Sequence, residues 1–175
     1  PKNNGLWAST LHIDGSGEQY LSSQQVANLN EWTHTCLTYD GSSVKYYING
    51  ILNDSIAVTG SIYQTSNPLY FGDQLFYATS DYKFYGSIDD IQIWDIALSK
   101  EEIQRYMNCP PTGSEAGLVG YWNFEEGSGS IVYDQTSNGN NGTINGAQYN
   151  SNVPPQSCQL TNSNGCDSVA VLNLT

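Results

Sequence analysis

The sequence predicts an antiparallel, all-β protein carrying one short helix, and two observations lead there. The 175 residues include 13 Tyr and 17 Gly, with only 13% charged side chains. Tyr and Thr suit half-buried pleated surfaces, while Gly and Asn suit tight turns. Apolar side chains also alternate along several short segments separated by Gly/Asn turn signals, whereas a helical spacing is well marked once.

Residues 6–14 (LWASTLHID) alternate as a strand that GSG closes, and residues 19–26 (QYLSSQQV) form a weaker one. Residues 32–39 (WTHTCLTY) are a strand, Asp40-Gly41 a turn, and residues 43–49 (SVKYYIN) its partner. Asn49-Gly50 supplies the positive φ of a two-residue hairpin and leads into 51–58 (ILNDSIAV). Further strands are expected at 68–72 and 83–95. In the latter, Asp89, Ile91, Ile93 and Asp95 alternate with Ile88, Asp90, Gln92 and Trp94, so both faces of a central strand would be covered. By size, Trp32, Trp94 and Trp122 belong in the interior. The helix is predicted near 99–108: Ser99 and Glu102 have capping-box spacing, and Leu98 and Ile103 can staple its start. Ile103, Tyr106 and Met107 form its apolar stripe, and Pro110-Pro111 ends it.

This divides the chain into a main body at 1–109, a linker at 110–117 (PPTGSEAG), short strands at 118–150 and a tail at 151–175. Cys158 and Cys166 enclose a polar loop in that tail and are expected to form a small local disulfide. Cys36 and Cys109 would then pair or stay free, and no C-x-x-C pair suggests zinc or redox chemistry. The formal charge of −12, from 17 acids and 5 bases, argues against nucleic acid and anionic membrane as partners, yet suits neutral glycans or cations. No stretch approaches the ~20 apolar residues of a membrane span. PKNNG lacks an apolar signal core, so a secretion signal is expected upstream or removed.

Two longer motifs carry a family resemblance. NEWTHTCLTYDGSSVKYYINGIL (30–52) resembles the laminin G-like jelly roll in its Trp32, His34, Thr-Tyr-Asp-Gly turn and Tyr-x-Asn-Gly hairpin. FYGSIDDIQIWDIALSKEEI (84–103) resembles that family's closing strand and helix, and His34-x-Cys36 is similar to pentraxins. The resemblance implies a two-sheet antiparallel β-sandwich, the concanavalin A-like jelly roll. Residues 117–147 resemble the opening strands of such a domain, although here they follow the closing ones. They are expected to fold back and complete or permute the sandwich, rather than belong to a neighbouring repeat. The tail resembles short repeats of Gram-negative bacterial surface proteins, which implies a secreted or cell-surface setting within a larger multidomain chain.

The fold also houses glycosidases, and a retaining one needs two carboxyls roughly 5 Å apart. No two acids stand at i, i+2, and the pairs Asp89-Asp90 and Glu125-Glu126 point to opposite strand faces. His12 and His34 lie outside any nucleophile motif, and His34 matches a family position read as structural. The chain is therefore read as non-catalytic. A structural calcium ion, which the family often carries, is expected near Asp134, Asn138 and Asn140, with Glu125 and Asp90 (or its neighbour Asp89) contributing. The competing reading is that Asp134 and the asparagines make Asx-turns. Glycan stacking is expected at Tyr77 and Tyr82 with Asp73 and Asp81, and at Trp7; the competing reading is that the tyrosines cover the sandwich. The leading function is a carbohydrate-recognition module whose partner is a glycan or a surface protein. The alternatives are a structural or adhesion repeat and, remotely, a glycoside hydrolase.

Overall fold

The computed structural model describes residues 6–72 and 83–158, with the backbone of 160–161 and 167–168. The elements are, in order, β1 (Leu6–Ile13), β2 (Gly17–Val26), β3 (Thr35–Tyr39), β4 (Ser43–Ile48), β5 (Ile51–Ala57), β6 (Ile91–Trp94) and α1 (Lys100–Asn108). Then follow β7 (Leu118–Trp122), β8 (Ile131–Val132), β9 (Gly142–Thr143), β10 (Leu160–Thr161) and β11 (Asp167–Ser168). Every pairing is antiparallel: β1 with β2, β3–β4–β5 as a three-stranded sheet, β6 with β7, β8 with β9, and β10 with β11.

Alternation in β4 organises the interior. Val44, Tyr46 and Ile48 point to one face and pack with Leu21 of β2 as a buried cluster. Trp7 and Leu11 of β1 close over it, together with Leu37, Tyr39, Ile56 and Val58. The β1–β2 hairpin is thus laid on the central sheet as a two-layer sandwich, and Ser22 N–H donates to Asp54 Oδ2 of β5 at 3.2 Å across the layers. Tyr47 points the other way and packs with Leu98 and Ile103 beneath α1, beside Cys36, Trp94 and Tyr106.

The capping box forms in both directions, Ser99 N–H donating to Glu102 Oε2 at 2.7 Å and Glu102 N–H to Ser99 Oγ at 3.2 Å. Such a cap contributes about 1 kcal/mol and fixes where the helix starts. Leu98 and Ile103 share one cluster, which sets the entry angle.

Three expectations need correction. Residues 68–72 form no strand: Pro68 has no N–H to give, and Leu69, Tyr70 and Phe71 are exposed, so no face of the segment is buried. Of 83–95 only 91–94 are a strand, because Asp90 adopts φ +51 and turns the backbone out of the extended region. Phe84 N–H still reaches Gly72 O at 2.8 Å. The disulfide joins Cys109 to Cys158, and not Cys158 to Cys166, which lies outside the described residues. Ser157 N–H donates to Asn108 O at 2.8 Å, bringing the returning chain to the end of α1 with the two cysteine Cα atoms 4.5 Å apart. With the partners 49 residues apart, the bond restricts the unfolded chain by about 4 kcal/mol. Cys36 is a free, half-buried thiol, and burial pushes it up to about 11.

The segment after the linker returns to the body. β7 pairs with β6 in the register Ile91↔Trp122, Gln92↔Tyr121, Ile93↔Gly120 and Trp94↔Leu118. Trp122 is buried against Phe71, ring centroids 5.2 Å apart, and its indole N–H donates to Asn140 O at 2.9 Å. Val132 is buried, whereas Ile131 is exposed.

The Asn49–Gly50 turn has φ +48 and +70, the pair that a type I′ hairpin requires. A Cβ on Gly50 would lie 2.7 Å from Gln104 Cγ, and Gln104 Nε2 donates to Gly50 O at 3.1 Å. Gly50→Ala is therefore expected to destabilise the protein by at least 1–2 kcal/mol, roughly the left-handed penalty of an L-residue before the clash is added. Urea unfolding of the two proteins would measure the difference.

Candidate functional site: a two-tryptophan cleft and an acidic corner

Where the ends of the two hairpins meet, a cleft of about 60 Å³ opens between Trp7, Asn28, Glu31, Trp32, Thr33 and Asn49, with Val26 and Ile48 as its apolar backing. Trp7 sits where the β1–β2 register shifts between Leu6 and Ala8, a bulge that re-aims its side chain. Its N–H donates to the buried Ser23 Oγ at 3.0 Å. The connection from β2 to β3 turns at Asn30, whose φ of +63 asparagine tolerates. Just before it, Asn28 Nδ2 donates to Glu31 Oε2 at 2.8 Å and orients that carboxylate.

Asn49 holds the opposite wall. His34 N–H donates to Asn49 Oδ1 at 2.9 Å, and Asn49 N–H to His34 O at 2.8 Å. Burial lowers the His34 pKa, so its imidazole is neutral near pH 7. Trp32 is half-buried rather than interior, and its Nε1 and His34 Nδ1 are buried atoms without a hydrogen-bond partner among the described residues. Each unsatisfied group costs about 1–3 kcal/mol. Two indoles, one carboxylate and two side-chain amides thus line the same cleft.

Of the stacking residues expected from sequence, Trp7 lines this cleft. Asp73, Tyr77, Asp81 and Tyr82 lie outside the described residues. Asn28, Glu31, Thr33 and Asn49 escaped the sequence reading, because 27–31 has no periodicity, Thr33 falls in the strand expected at 32–39 (β3 begins at Thr35), and Asn49 is explained by its turn.

The expected cation ligands fall into two groups at opposite ends of Tyr121. Asp134 is buried; its Oδ1 accepts from Tyr121 N–H at 3.1 Å and Thr136 N–H at 2.9 Å, and its Oδ2 from Asn140 N–H at 2.9 Å. Burial works to raise its pKa, but these three bonds outweigh it and hold the carboxyl below its usual range. The Asn138 and Asn140 amides donate to Val119 O at 2.9 and 3.1 Å, so the loop is tied to β7. At the other end, Tyr121 O–H donates to Asp90 Oδ1 at 2.7 Å, and Gln156 Nε2 to Asp90 Oδ2 at 2.9 Å. The Glu125 side chain is exposed, and Glu125 N–H donates to Asn123 Oδ1 at 3.4 Å. Among the described residues, no three His, Cys, Asp or Glu side chains are grouped to hold a metal ion.

In this acidic corner Asp89 is pushed up to about 6, first by burial, then by the negative charges of Asp90 and Glu125, against a lowering bond from Asp90 N–H. The folded state therefore holds the Asp89 proton more tightly than the unfolded chain, whose carboxyl titrates near its ordinary 3.8. By linkage, this group destabilises the fold above about pH 6, and the loss is recovered as pH falls from 7 toward 4. Asp89→Asn is expected to raise the melting temperature near pH 7.5 and to change it little near pH 4.5. Calorimetry of both proteins at the two pH values would check this.

The pattern that defines the concanavalin A-like lectin/glucanases superfamily, in its laminin G form, matches residues 2–104. C-reactive protein from Xenopus laevis is 32% identical over 87 residues, covering 44% of this chain and 35% of that protein. A solved protein from Bacteroides ovatus, described as a candidate carbohydrate binding protein, superposes with a TM-score of 0.67 at 23% identity. That superposition covers 82% of this chain and 42% of the Bacteroides one, so the chain spans less than half the length of either protein. At this identity the likeness is one of fold.

Proposed function

The chain belongs to the concanavalin A-like lectin/glucanases superfamily, and we propose that it serves as a non-catalytic glycan-recognition module of a larger secreted or cell-surface protein. The observation that carries this reading is the cleft in which Trp7 and Trp32 stand beside Asn28, Glu31, Thr33 and Asn49. Aromatic faces supply stacking surface for sugar C–H groups, and amide and carboxylate groups match hydroxyls. Glu31 is the one carboxylate among the lining residues, whereas hydrolysis by the usual glycosidase routes takes two.

Three further facts are consistent with this reading. The Cys109–Cys158 disulfide suits an oxidising compartment, and no helix among the described residues is long and apolar enough to cross a membrane. The Bacteroides protein of similar fold is described in carbohydrate-binding terms. The cleft is well below the roughly 300–1,000 Å³ of ordinary small-molecule pockets, so affinity for a single sugar is expected in the millimolar range.

A second reading, an adhesion repeat that docks on protein, draws on the exposed apolar side chains, among them Ile62, Tyr63, Leu69, Phe84 and Tyr85. A glycan array followed by calorimetric titration separates the two. Glycan binding that Trp7→Ala weakens about tenfold or more, with the circular dichroism of the fold retained, is the outcome expected of the cleft. An empty array would move the assignment to the adhesion reading, and glycan binding indifferent to Trp7→Ala would place the sugar site outside the cleft.

A further inference from the structure

Resting on the glycan-binding reading above, we propose that Glu31 is the specificity-determining residue of the cleft, accepting uncharged or amino sugars and rejecting uronic and sialic acids. The carboxylate is placed rather than loose: Asn28 Nδ2 holds Oε2 at 2.8 Å, and Oε1 has no partner among the described residues. It is also uncompensated. Among the described residues no Lys, Arg or His lines the cleft, and the one ion pair is Lys45–Asp40, between β4 and the turn before it.

An oriented carboxylate is an acceptor-only group. It takes hydrogen bonds from the hydroxyls of a neutral sugar and pairs with the ammonium of an amino sugar. A sugar carboxylate beside it has neither a donor to offer nor a cation to share. The two like charges repel, and the chain's net charge of −12 adds to the effect. Because the cleft holds about 60 Å³, one ring edge at a time can enter, and an acid group on the entering edge is brought close to Glu31.

The test compares sugars that differ in a single carbon: methyl galactoside against methyl galacturonide, and methyl glucoside against methyl glucuronide, titrated into the intact chain and observed by NMR. The neutral member of the better-bound pair is expected to bind at least fivefold tighter at low salt. Glu31→Gln should bring that ratio to within twofold of one, whatever it does to the affinity for the neutral sugar, and high salt should compress the wild-type ratio. A ratio unchanged in Glu31→Gln, or a wild type that prefers the acidic sugar, overturns the role of Glu31 and leaves the glycan reading standing. A chain that binds no sugar at any concentration overturns both.

Discussion

The two-residue turn at Asn49–Gly50 is the constraint on which most of the molecule depends. Its positive φ angles reverse the chain so that β4 and β5 can pair, and its position one residue past Ile48 fixes which side chains of β4 face the β1–β2 layer. The same turn exchanges two hydrogen bonds with His34, which anchors the segment carrying Trp32, and accepts one from Gln104 of α1. Sandwich, helix and cleft therefore share one short piece of backbone. A one-residue slip in the hairpin would send Val44, Tyr46 and Ile48 to the helix side and Tyr47 to the sandwich core.

The acidity of the chain has a structural explanation that bears on the cleft. Asp40 accepts from Ser42 and Ser43 N–H groups, Glu115 from Thr112 and Gly113, Glu126 from Tyr133, and Asp134 from Tyr121 of β7 and two loop N–H groups. These carboxylates cap turns and loops through backbone N–H groups, and Asp40 alone among them also pairs with a cation, Lys45. Glu31 differs from them: a side-chain amide holds it, it caps no backbone group, and it faces a cleft lined by two indoles. Asp89 differs again, a partly buried acid beside two others that leaves the β6–β7 junction less stable at neutral pH than it could be.

What was legible in the sequence was local. Asn49-Gly50, the Ser99/Glu102 box and the alternation of 43–48 each specify geometry within a few residues, and the turn, the helix and the strand stand where those signals put them. The two longer motifs placed the fold in its family. Distance in the chain was the obstacle elsewhere. The Cys109–Cys158 bond depends on Ser157 returning to the end of α1, which no spacing between cysteines encodes. Asp90 ends a run that reads as strand because one residue takes a left-handed conformation, and alternation cannot show that. In the cleft, Trp7 was recognisable as an aromatic near a strand start, whereas Trp32 reads as core until both hairpins are in place, and Asn28 and Glu31 acquire meaning from each other.

Trp7 and Trp32 line the cleft, Trp7 also packing on the core beneath it, whereas Trp94 and Trp122 pack away from it. An indole N–H spectrum of the ¹⁵N-labelled chain, titrated with a neutral methyl glycoside, therefore reports the location of the site directly. If the cleft binds sugar, the Trp7 and Trp32 resonances shift together, with Trp32 most affected because its buried N–H is unsatisfied, while Trp94 and Trp122 stay in place. Saturable shifts confined to Trp94 or Trp122, or none at millimolar sugar, would contradict the assignment of the cleft.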